Sequence, residues 1–320
     1  MSSINKLILL ALSLVFIAVL PTGCMNRAST ITDIRGDRTG SIIWDGVPRT
    51  YLIHIPPNYE KTKSMPLLIV FHGGAGTAEG MVKLTLGSLN VLADKEGFIV
   101  VYPDGIDKKW NDGRDEQYSK ADDVGYISAL IKQLTQTLNI DSARVYATGI
   151  SNGAHMCMRL ARELSGQIAA VAPVAYSMPE RFASVPVSTN PISVLVITGT
   201  KDPFIPWEGG ETPDFQGERR LGTILSVPKT VSVLIAHNQC ALTPAITIEP
   251  DKDSQDGTRV RREDYKEGSQ GTEVILYVIE GGGHTWPGGW QYLPPGIVGR
   301  TCRDIDANEV IWSFFQKHSR

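Results

Sequence analysis

The sequence has little net charge, few cysteines and no internal repeat, and each of these absences excludes a class of protein. Its 320 residues hold 31 Lys and Arg against 34 Asp and Glu, for a net charge of -3. Because this balance leaves no electrostatic footprint for nucleic acid, we expect no nucleic-acid partner. The lack of a repeat period excludes solenoid and propeller arrays. What remains is an ordinary globular composition, 42% hydrophobic, with ample length for a large core.

The four cysteines show no metal-site spacing. No Cys-x-x-Cys pair and no His/Cys cluster occurs, so the sequence predicts no metal site. Cys157 is predicted to be a small core residue. Cys240 and Cys302 could pair in an oxidising compartment, but sequence alone does not decide connectivity.

One long apolar run is present, at residues 7–20 near the N-terminus. Lys6 before it and small residues after it are typical of an export signal. The run is shorter than the ~20 residues that a membrane-spanning helix needs. Thr22-Gly23-Cys24 resembles a bacterial lipobox, although Pro21 stands where that pattern prefers Leu. We therefore expect export, either as a lipoprotein of the bacterial cell envelope anchored at Cys24 or as a free secreted protein. Residues 1–24 are the predicted signal, residues 25–40 a flexible leader, and residues 41–320 a single folded domain.

Residues 144–156 predict a strand, a sharp turn and a helix. The turn reads Gly149-Ile150-Ser151-Asn152-Gly153. A strained strand-to-helix turn needs small residues two places before and two after its apex, because larger side chains would collide with backbone. Such a turn exposes Ser151 as a nucleophile and aims the Asn152 amide at developing negative charge. The alternative is an ordinary glycine-rich turn.

Strand patterns alternate with helix patterns along the rest of the chain. Residues 67–71 are continuously apolar, which is typical of a strand buried on both faces. A mainly parallel central sheet flanked by helices on both faces, an α/β fold, follows from this alternation. The other predicted elements are a hairpin (41–44 with 51–55), helices at 78–95, 122–138, 227–237 and 305–315, strands at 98–102, 169–174, 193–198, 245–248, 260–265 and 274–279, and a loop over the site at 203–222.

A serine nucleophile needs a base, and the base needs an acid to hold its tautomer. In α/β-hydrolases these residues follow in the order Ser, Asp or Glu, His. Asp202 follows the end of a predicted strand, and His284 lies on a glycine-rich loop directly after another. We predict Asp202 as the acid and His284 as the base. Asp256 is a weaker rival acid, and His237 and His318 are less well placed.

The loop after the strand at 67–71 is predicted to supply a second oxyanion donor. Its sequence is His72-Gly73-Gly74-Ala75. We expect the Gly74 amide to act together with the Asn152 amide, with Ala75 as the alternative to Gly74. A phosphate-binding loop is not indicated, since the G-x-x-x-x-G-K-[ST] pattern is missing.

Four tryptophans lie on or near the predicted loops. Together they favour a hydrophobic or aromatic acyl site over four unrelated packing positions. Such loops suit a feruloyl or other aryl ester, but they also suit an aliphatic hydroxyalkanoate polyester or an acetylated polysaccharide. The predicted substrate contacts are Trp110, Trp207, Trp286 and Trp290.

Five motifs occur in one order along the chain: His72-Gly73-Gly74, Tyr102-Pro103-Asp104-Gly105 with Trp110-Asn111, the 122–127 segment, Gly149 to Gly153, and the Gly-Gly-Gly-His-Thr-Trp-Pro-Gly string at 281–288. Together they resemble the secreted polyhydroxybutyrate depolymerase/feruloyl esterase family, close to carbohydrate esterase family 1. The resemblance spans roughly residues 40–317. It implies an α/β-hydrolase fold, no cofactor, and hydrolysis of a small or polymeric carboxylic ester, with Ser151, Asp202 and His284 as the triad.

Two departures from the family pattern stand out. Asn152 follows the nucleophile, as in esterase-like members, where polymer depolymerases often carry Ala, Ser or Thr. Family members often pair a cysteine near Tyr265 with the one matching Cys240, but Gly268 and Ser269 stand there, so that disulfide is lost or Cys302 replaces it. Two other functions stay open: a non-catalytic envelope binding protein on a hydrolase fold, and a hydrolase of peptide or lactone bonds.

Overall fold

The computed structural model describes residues 34–114, 118–185, 190–214, 217 and 219–320. The predicted export signal and Cys24 lie outside the described residues. Arg35–Arg320 form one compact unit. Within the described ranges, no helix has the length and hydropathy needed to span a bilayer.

A sheet of ten strands forms the centre of this unit, in the order β1-β2-β4-β3-β5-β6-β7-β12-β11-β10. The six strands from β4 to β12 are parallel, and antiparallel strands extend both edges. Helices cover its faces, which confirms the predicted α/β architecture. The strands are β1 (Gly36–Trp44), β2 (Val47–Ile55), β3 (Met65–Phe71), β4 (Ile99–Pro103), β5 (Ile140–Ile150), β6 (Ala170–Val174), β7 (Ser193–Gly199), β8 (Gly210–Pro213), β9 (Arg220–Ile224), β10 (Ala245–Ile248), β11 (Arg259–Tyr265) and β12 (Val274–Glu280). The helices are α1 (Ala78–Leu84), α2 (Ser88–Glu96), α3 (Asp123–Thr137), α4 (Asn152–Glu163), α5 (Val227–Asn238), α6 (Pro295–Val298) and α7 (Ala307–Phe315).

The central strands are buried on both faces, as their continuous apolar runs predicted. Every residue of β3 is buried, and so is every residue of β7. Helix α7 covers the sheet with an apolar face, where Trp312 stacks on Phe98 with ring centroids 3.7 Å apart. Burial of this surface supplies most of the stabilisation of such a fold.

Three sequence predictions about local structure need correction. Residues 36–40, assigned to a flexible leader, belong to β1 and pair with β2. The single helix expected at 78–95 is two helices, because Leu86 and Gly87 take left-handed conformations (φ 57° and 69°) that interrupt the helical hydrogen bonds. The loop expected at 203–222 contains β8, which pairs with β9 to form a second, two-stranded sheet.

The described cysteines are free thiols. Cys157, Cys240 and Cys302 are all buried and unpaired, so a Cys240–Cys302 disulfide is not formed. Gly268 packs against the Cys240 thiol, since a Cβ built at Gly268 would lie 2.9 Å from its Sγ. The position next to Cys240 is therefore occupied by a residue that cannot pair with it.

Candidate active site

The predicted site residues lie on loops that follow neighbouring parallel strands. Loops after β3, β5, β7 and β12 carry His72, Ser151, Asp202 and His284 respectively. These strands are neighbours apart from β6, which lies between β5 and β7. Since parallel strands end at the same edge of a sheet, the topology gathers four distant segments of chain at one edge.

Ser151 stands at the apex of a strained turn between β5 and α4. Its backbone has φ 57° and ψ -119°, in a region that residues with side chains rarely adopt. A Cβ at Gly149 would lie 2.7 Å from the Phe71 carbonyl oxygen, and one at Gly153 would lie 2.5 Å from that of His72. The predicted requirement for glycine at both positions is confirmed, because backbone atoms fill the space that side chains would need.

His284 and Asp202 form a buried pair. The imidazole Nδ1 donates to Asp202 Oδ2 at 2.7 Å, and both side chains are almost fully buried. Asp202 Oδ1 accepts the backbone amides of Phe204 and Ile205, each at 2.8 Å. These two donors fix the carboxylate, which in turn fixes the ring with Nδ1 protonated and leaves Nε2 as the available base.

A cavity of about 240 Å³ joins the serine and the histidine. Ser151 and His284 both line it, as do His72 to Gly76 of the β3 loop. Within the described chain, the Ser151 hydroxyl makes no hydrogen bond to another residue, so it is open to a new partner; such bonds are often long or absent without substrate. The remaining lining residues are largely apolar: Gly80, Met81, Leu84, Ile150, Trp290 and Tyr292.

His72 braces the loop that carries Gly74. Its Nδ1 donates to the Gly73 carbonyl at 2.8 Å, and its Nε2 accepts the Gly105 amide at 3.0 Å. Burial lowers the pKa of His72, which keeps the ring neutral and able to make both bonds. The Ala75 amide donates to the Lys108 carbonyl at 2.8 Å and is thus occupied.

The side chain of Asn152 ties the serine turn to a neighbouring loop, a role that sequence reasoning missed. Its Oδ1 accepts the Trp110 amide at 2.7 Å, and its Nδ2 donates to the Trp110 carbonyl at 3.0 Å and to Asp112 Oδ2 at 2.6 Å. Burial has the largest single effect on the pKa of the Asp112 carboxyl and raises it, but the Arg114 guanidinium, the neighbouring His155 and the hydrogen bonds that Arg114 donates together outweigh burial and hold the pKa below its usual value. Asp112 is therefore an ionised anchor for Asn152.

One of the four tryptophans predicted to contact substrate lines this cavity. Trp290 is 39% exposed and lines the cavity, with Lys83 Nζ 4.4 Å from its ring centroid. Trp110 and Trp286 are 0% exposed and hydrogen-bond inside the fold, so they cannot touch a substrate. Trp207 does not line the cavity. The apolar walls come instead from residues such as Met81, Leu84 and Tyr292, which no motif marked.

His155 gives a pH-dependent stability that can be measured. Burial, aided by Arg114 and opposed by Asp112, lowers the pKa of His155 from 6.5 to about 3. Between pH 6.5 and about 3, the His155 imidazole binds a proton in the unfolded chain but stays neutral in the folded chain. The stability that is present above pH 6.5 is therefore lost as the pH falls toward 3. We expect the free energy of unfolding to fall by about 1.4 kcal/mol per pH unit from this residue below about pH 6.

Urea denaturation of the wild type and His155→Gln at a series of pH values tests this expectation. The variant should show a shallower acid slope than the wild type, because it lacks the buried imidazole. Equal slopes for the wild type and His155→Gln would contradict the assignment.

Comparison with known proteins places the chain among esterases. Residues 49–184 match the family model described as "Esterase PHB depolymerase". "Putative esterase NocK" of Nocardia uniformis subsp. tsuyamanensis is 32% identical, over 85% of this chain and 80% of that protein. "Feruloyl esterase B" of Piromyces equi is 28% identical over 77% of this chain, which spans 45% of the Piromyces protein.

Solved structures support the fold. An acetyl xylan esterase from Aspergillus awamori superposes with a TM-score of 0.54 at 16% identity, over 78% of this chain and 94% of that one. At this level of identity the likeness concerns the fold, which is that of the α/β-hydrolases. Together with the relative that is 32% identical over most of both chains, these matches identify the protein as a carboxylic ester hydrolase of the esterase PHB depolymerase family.

Proposed function

We propose that the protein is a serine esterase that works through an acyl-enzyme on Ser151, with His284 as base and Asp202 as the residue that orients it. The observation that carries the proposal is the buried 2.7 Å bond from His284 Nδ1 to Asp202, in a ring that lines the same cavity as Ser151. Neutral His284 with its proton on Nδ1 has the tautomer that a general base facing serine requires.

In the first half of the reaction, Ser151 Oγ attacks the ester carbonyl while His284 Nε2 takes the hydroxyl proton. The tetrahedral intermediate collapses when the same nitrogen returns that proton to the leaving alcohol. In the second half, His284 takes a proton from water as the water oxygen attacks the acyl carbonyl. The second tetrahedral intermediate then collapses, the acid leaves, and His284 returns the proton to Ser151 Oγ.

The oxyanion donors in this proposal are the amides of Gly74 and Asn152. Asn152 is the first residue of α4, where the amide has no intrahelical acceptor. A Cβ at Gly74 would lie 3.9 Å from Asn152 Cβ, so the two residues lie close together. The bond from the Ala75 amide to Lys108 favours Gly74 over Ala75 as the second donor.

Removal of the Asn152 side chain should lower kcat without removing its amide. Asn152→Ala breaks three hydrogen bonds that hold the turn, and we expect kcat for p-nitrophenyl butyrate to fall by about 10- to 10²-fold because the amide is no longer held in place. Steady-state kinetics measure this, with Asn58→Ala, an exposed position, as the matched control. An unchanged kcat for Asn152→Ala would show that the side chain does not position the site.

The acyl group is proposed to be larger than acetyl and apolar, as in feruloyl or hydroxyalkanoyl esters. The support is the cavity beside Ser151, whose walls are formed by Met81, Leu84, Trp290 and Tyr292. Additional apolar contact in such a pocket is worth about 10-fold or more in kcat/KM.

Rates on methyl ferulate, acetylated xylan and short hydroxybutyrate oligomers, measured side by side, test the substrate proposal. We expect methyl ferulate or the oligomers to exceed acetylated xylan in kcat/KM by about 10-fold or more. A preference for acetyl groups would contradict the proposed acyl site, and cleavage of peptides or lactones in place of all three would contradict the ester substrate. No turnover of any ester would favour the binding-protein alternative.

The site of action is proposed to be outside the cytoplasm. This part rests on the export-signal pattern of residues 1–24. Fractionation of the wild type and Cys24→Ala tests it: a cytoplasmic wild type would contradict export, and an unchanged membrane share for Cys24→Ala would exclude the lipid anchor.

A further inference from the structure

Three metal-ligating side chains meet outside the candidate active site. Asp256, Cys302 and Asp304 each offer a ligand atom, and these atoms lie within 4.8 Å of one another. Asp256 precedes β11, whereas Cys302 and Asp304 lie between α6 and α7. Because the donors come from two segments far apart in sequence, no spacing motif could reveal them.

Asp304 carries a carboxylate oxygen that the fold leaves without a partner. The residue is 0% exposed. Its Oδ1 accepts the amides of Lys252 at 2.7 Å and Asp253 at 3.2 Å, but its Oδ2 is buried and has no hydrogen-bond partner. A buried, unpaired carboxylate oxygen is costly, and a bound cation is one of the few ways to satisfy it.

The other two donors are held in place by the backbone and by a threonine. Asp256 Oδ1 accepts Thr258 N at 2.6 Å and Thr258 Oγ1 at 2.7 Å, and its Oδ2 accepts the Arg303 amide at 2.6 Å. Cys302 Sγ accepts the Asp304 amide at 3.4 Å. Supporting hydrogen bonds of this kind orient the ligands of metal sites.

The donor set distinguishes between kinds of ion. Calcium and magnesium take oxygen ligands, whereas a thiolate with two carboxylates suits a borderline ion such as Zn²⁺. Ligand atoms around tetrahedral Zn²⁺ are about 3.3–3.6 Å apart, so the three side chains would need only small rotations to converge.

We propose that Asp256, Cys302 and Asp304 form a structural site for a divalent ion of the zinc type, with solvent as the remaining ligand. Binding replaces the thiol proton, which leaves to solvent, with the metal. The site would fasten the loop before β11 to the segment that supports His284, since the Cys302 carbonyl accepts the Gly288 amide at 2.8 Å and the Arg300 carbonyl accepts the Gly283 amide at 3.0 Å. The sequence prediction of no metal site would then need correction.

Titration of chelator-treated protein with Co²⁺ alone tests the proposal. A thiolate-to-cobalt charge-transfer band should grow to one ion per chain in the wild type, persist in Cys240→Ser and vanish in Cys302→Ser. No band in the wild type, or a band that survives Cys302→Ser, would overturn the site.

Thermal unfolding with Zn²⁺ alone gives a second test. Its wild-type measurement does not require that any variant folds. At Zn²⁺ concentrations about 100-fold above Kd, wild-type Tm should rise by roughly 3–6 °C, and Asp304→Asn should show no rise. A wild-type Tm that Zn²⁺ leaves unchanged, or an equal rise in Asp304→Asn, would overturn the proposal.

Discussion

Replacement of Ser151 with alanine is expected to lower kcat for p-nitrophenyl butyrate by about 10⁴- to 10⁶-fold. The loss is large because the hydroxyl is the proposed covalent partner of the acyl group. The residual rate should come from the oxyanion donors and from substrate binding, which do not depend on the hydroxyl.

The fold should survive this change. Alanine keeps the Cβ and the backbone bond from the residue 151 amide to the Val174 carbonyl, 3.0 Å in the wild type. The matched control is Ser142→Ala, an exposed serine on the same strand, which should keep wild-type kcat. Ser151→Ala protein that is folded and hydrolyses the ester at the wild-type rate would refute the proposed mechanism.

Replacement of Asp202 with asparagine is expected to lower kcat by about 10³- to 10⁴-fold. The reason lies in the two amides, of Phe204 and Ile205, that donate to Oδ1. They require an oxygen there, so an asparagine must turn its NH₂ group toward His284. Nδ1 must then accept a hydrogen bond, which moves the ring proton to Nε2 and removes the base that faces Ser151.

The pH profile of kcat, measured together with Tm, separates a wrong His284 tautomer from a loss of structure. A tautomer defect should leave Tm near the wild-type value and lower kcat across the neutral range. Asp45→Asn is the control, because it makes the same chemical change in an exposed turn where asparagine tolerates the left-handed backbone (φ 51°). If Asp202→Asn keeps wild-type kcat, the acid must be another residue.

The sequence predicted the structure well at positions where local sterics allow only one type of residue. Gly149 and Gly153 are required because backbone oxygens occupy their Cβ positions, and that demand is visible as a spacing in the chain. The Asp202 and His284 loops were likewise predictable, since each directly follows a strand whose apolar run is unmistakable.

The sequence was uninformative where the answer depends on which elements pack together. Trp110 and Trp286 read as rim residues, yet both are buried, since a large aromatic on a loop can fold inward as readily as outward. The hydrogen bond between the side chains of Asn152 and Asp112 joins residues 40 positions apart, and no local sequence pattern predicts it. The break between α1 and α2 also escaped prediction, because Gly87 is tolerated within a helical pattern.

The most direct test of the account is the mass of the intact protein after reaction with a fluorophosphonate, followed by peptide mapping. Attack by Ser151 Oγ on the phosphorus displaces fluoride. The account therefore predicts one adduct per chain, on the peptide that contains Ser151. It predicts no adduct in Ser151→Ala, and none in protein whose His284 imidazole has been removed or blocked before the reagent is added. An adduct on another residue, or an unlabelled wild type that still hydrolyses esters, would contradict the claim that Ser151 is the activated nucleophile.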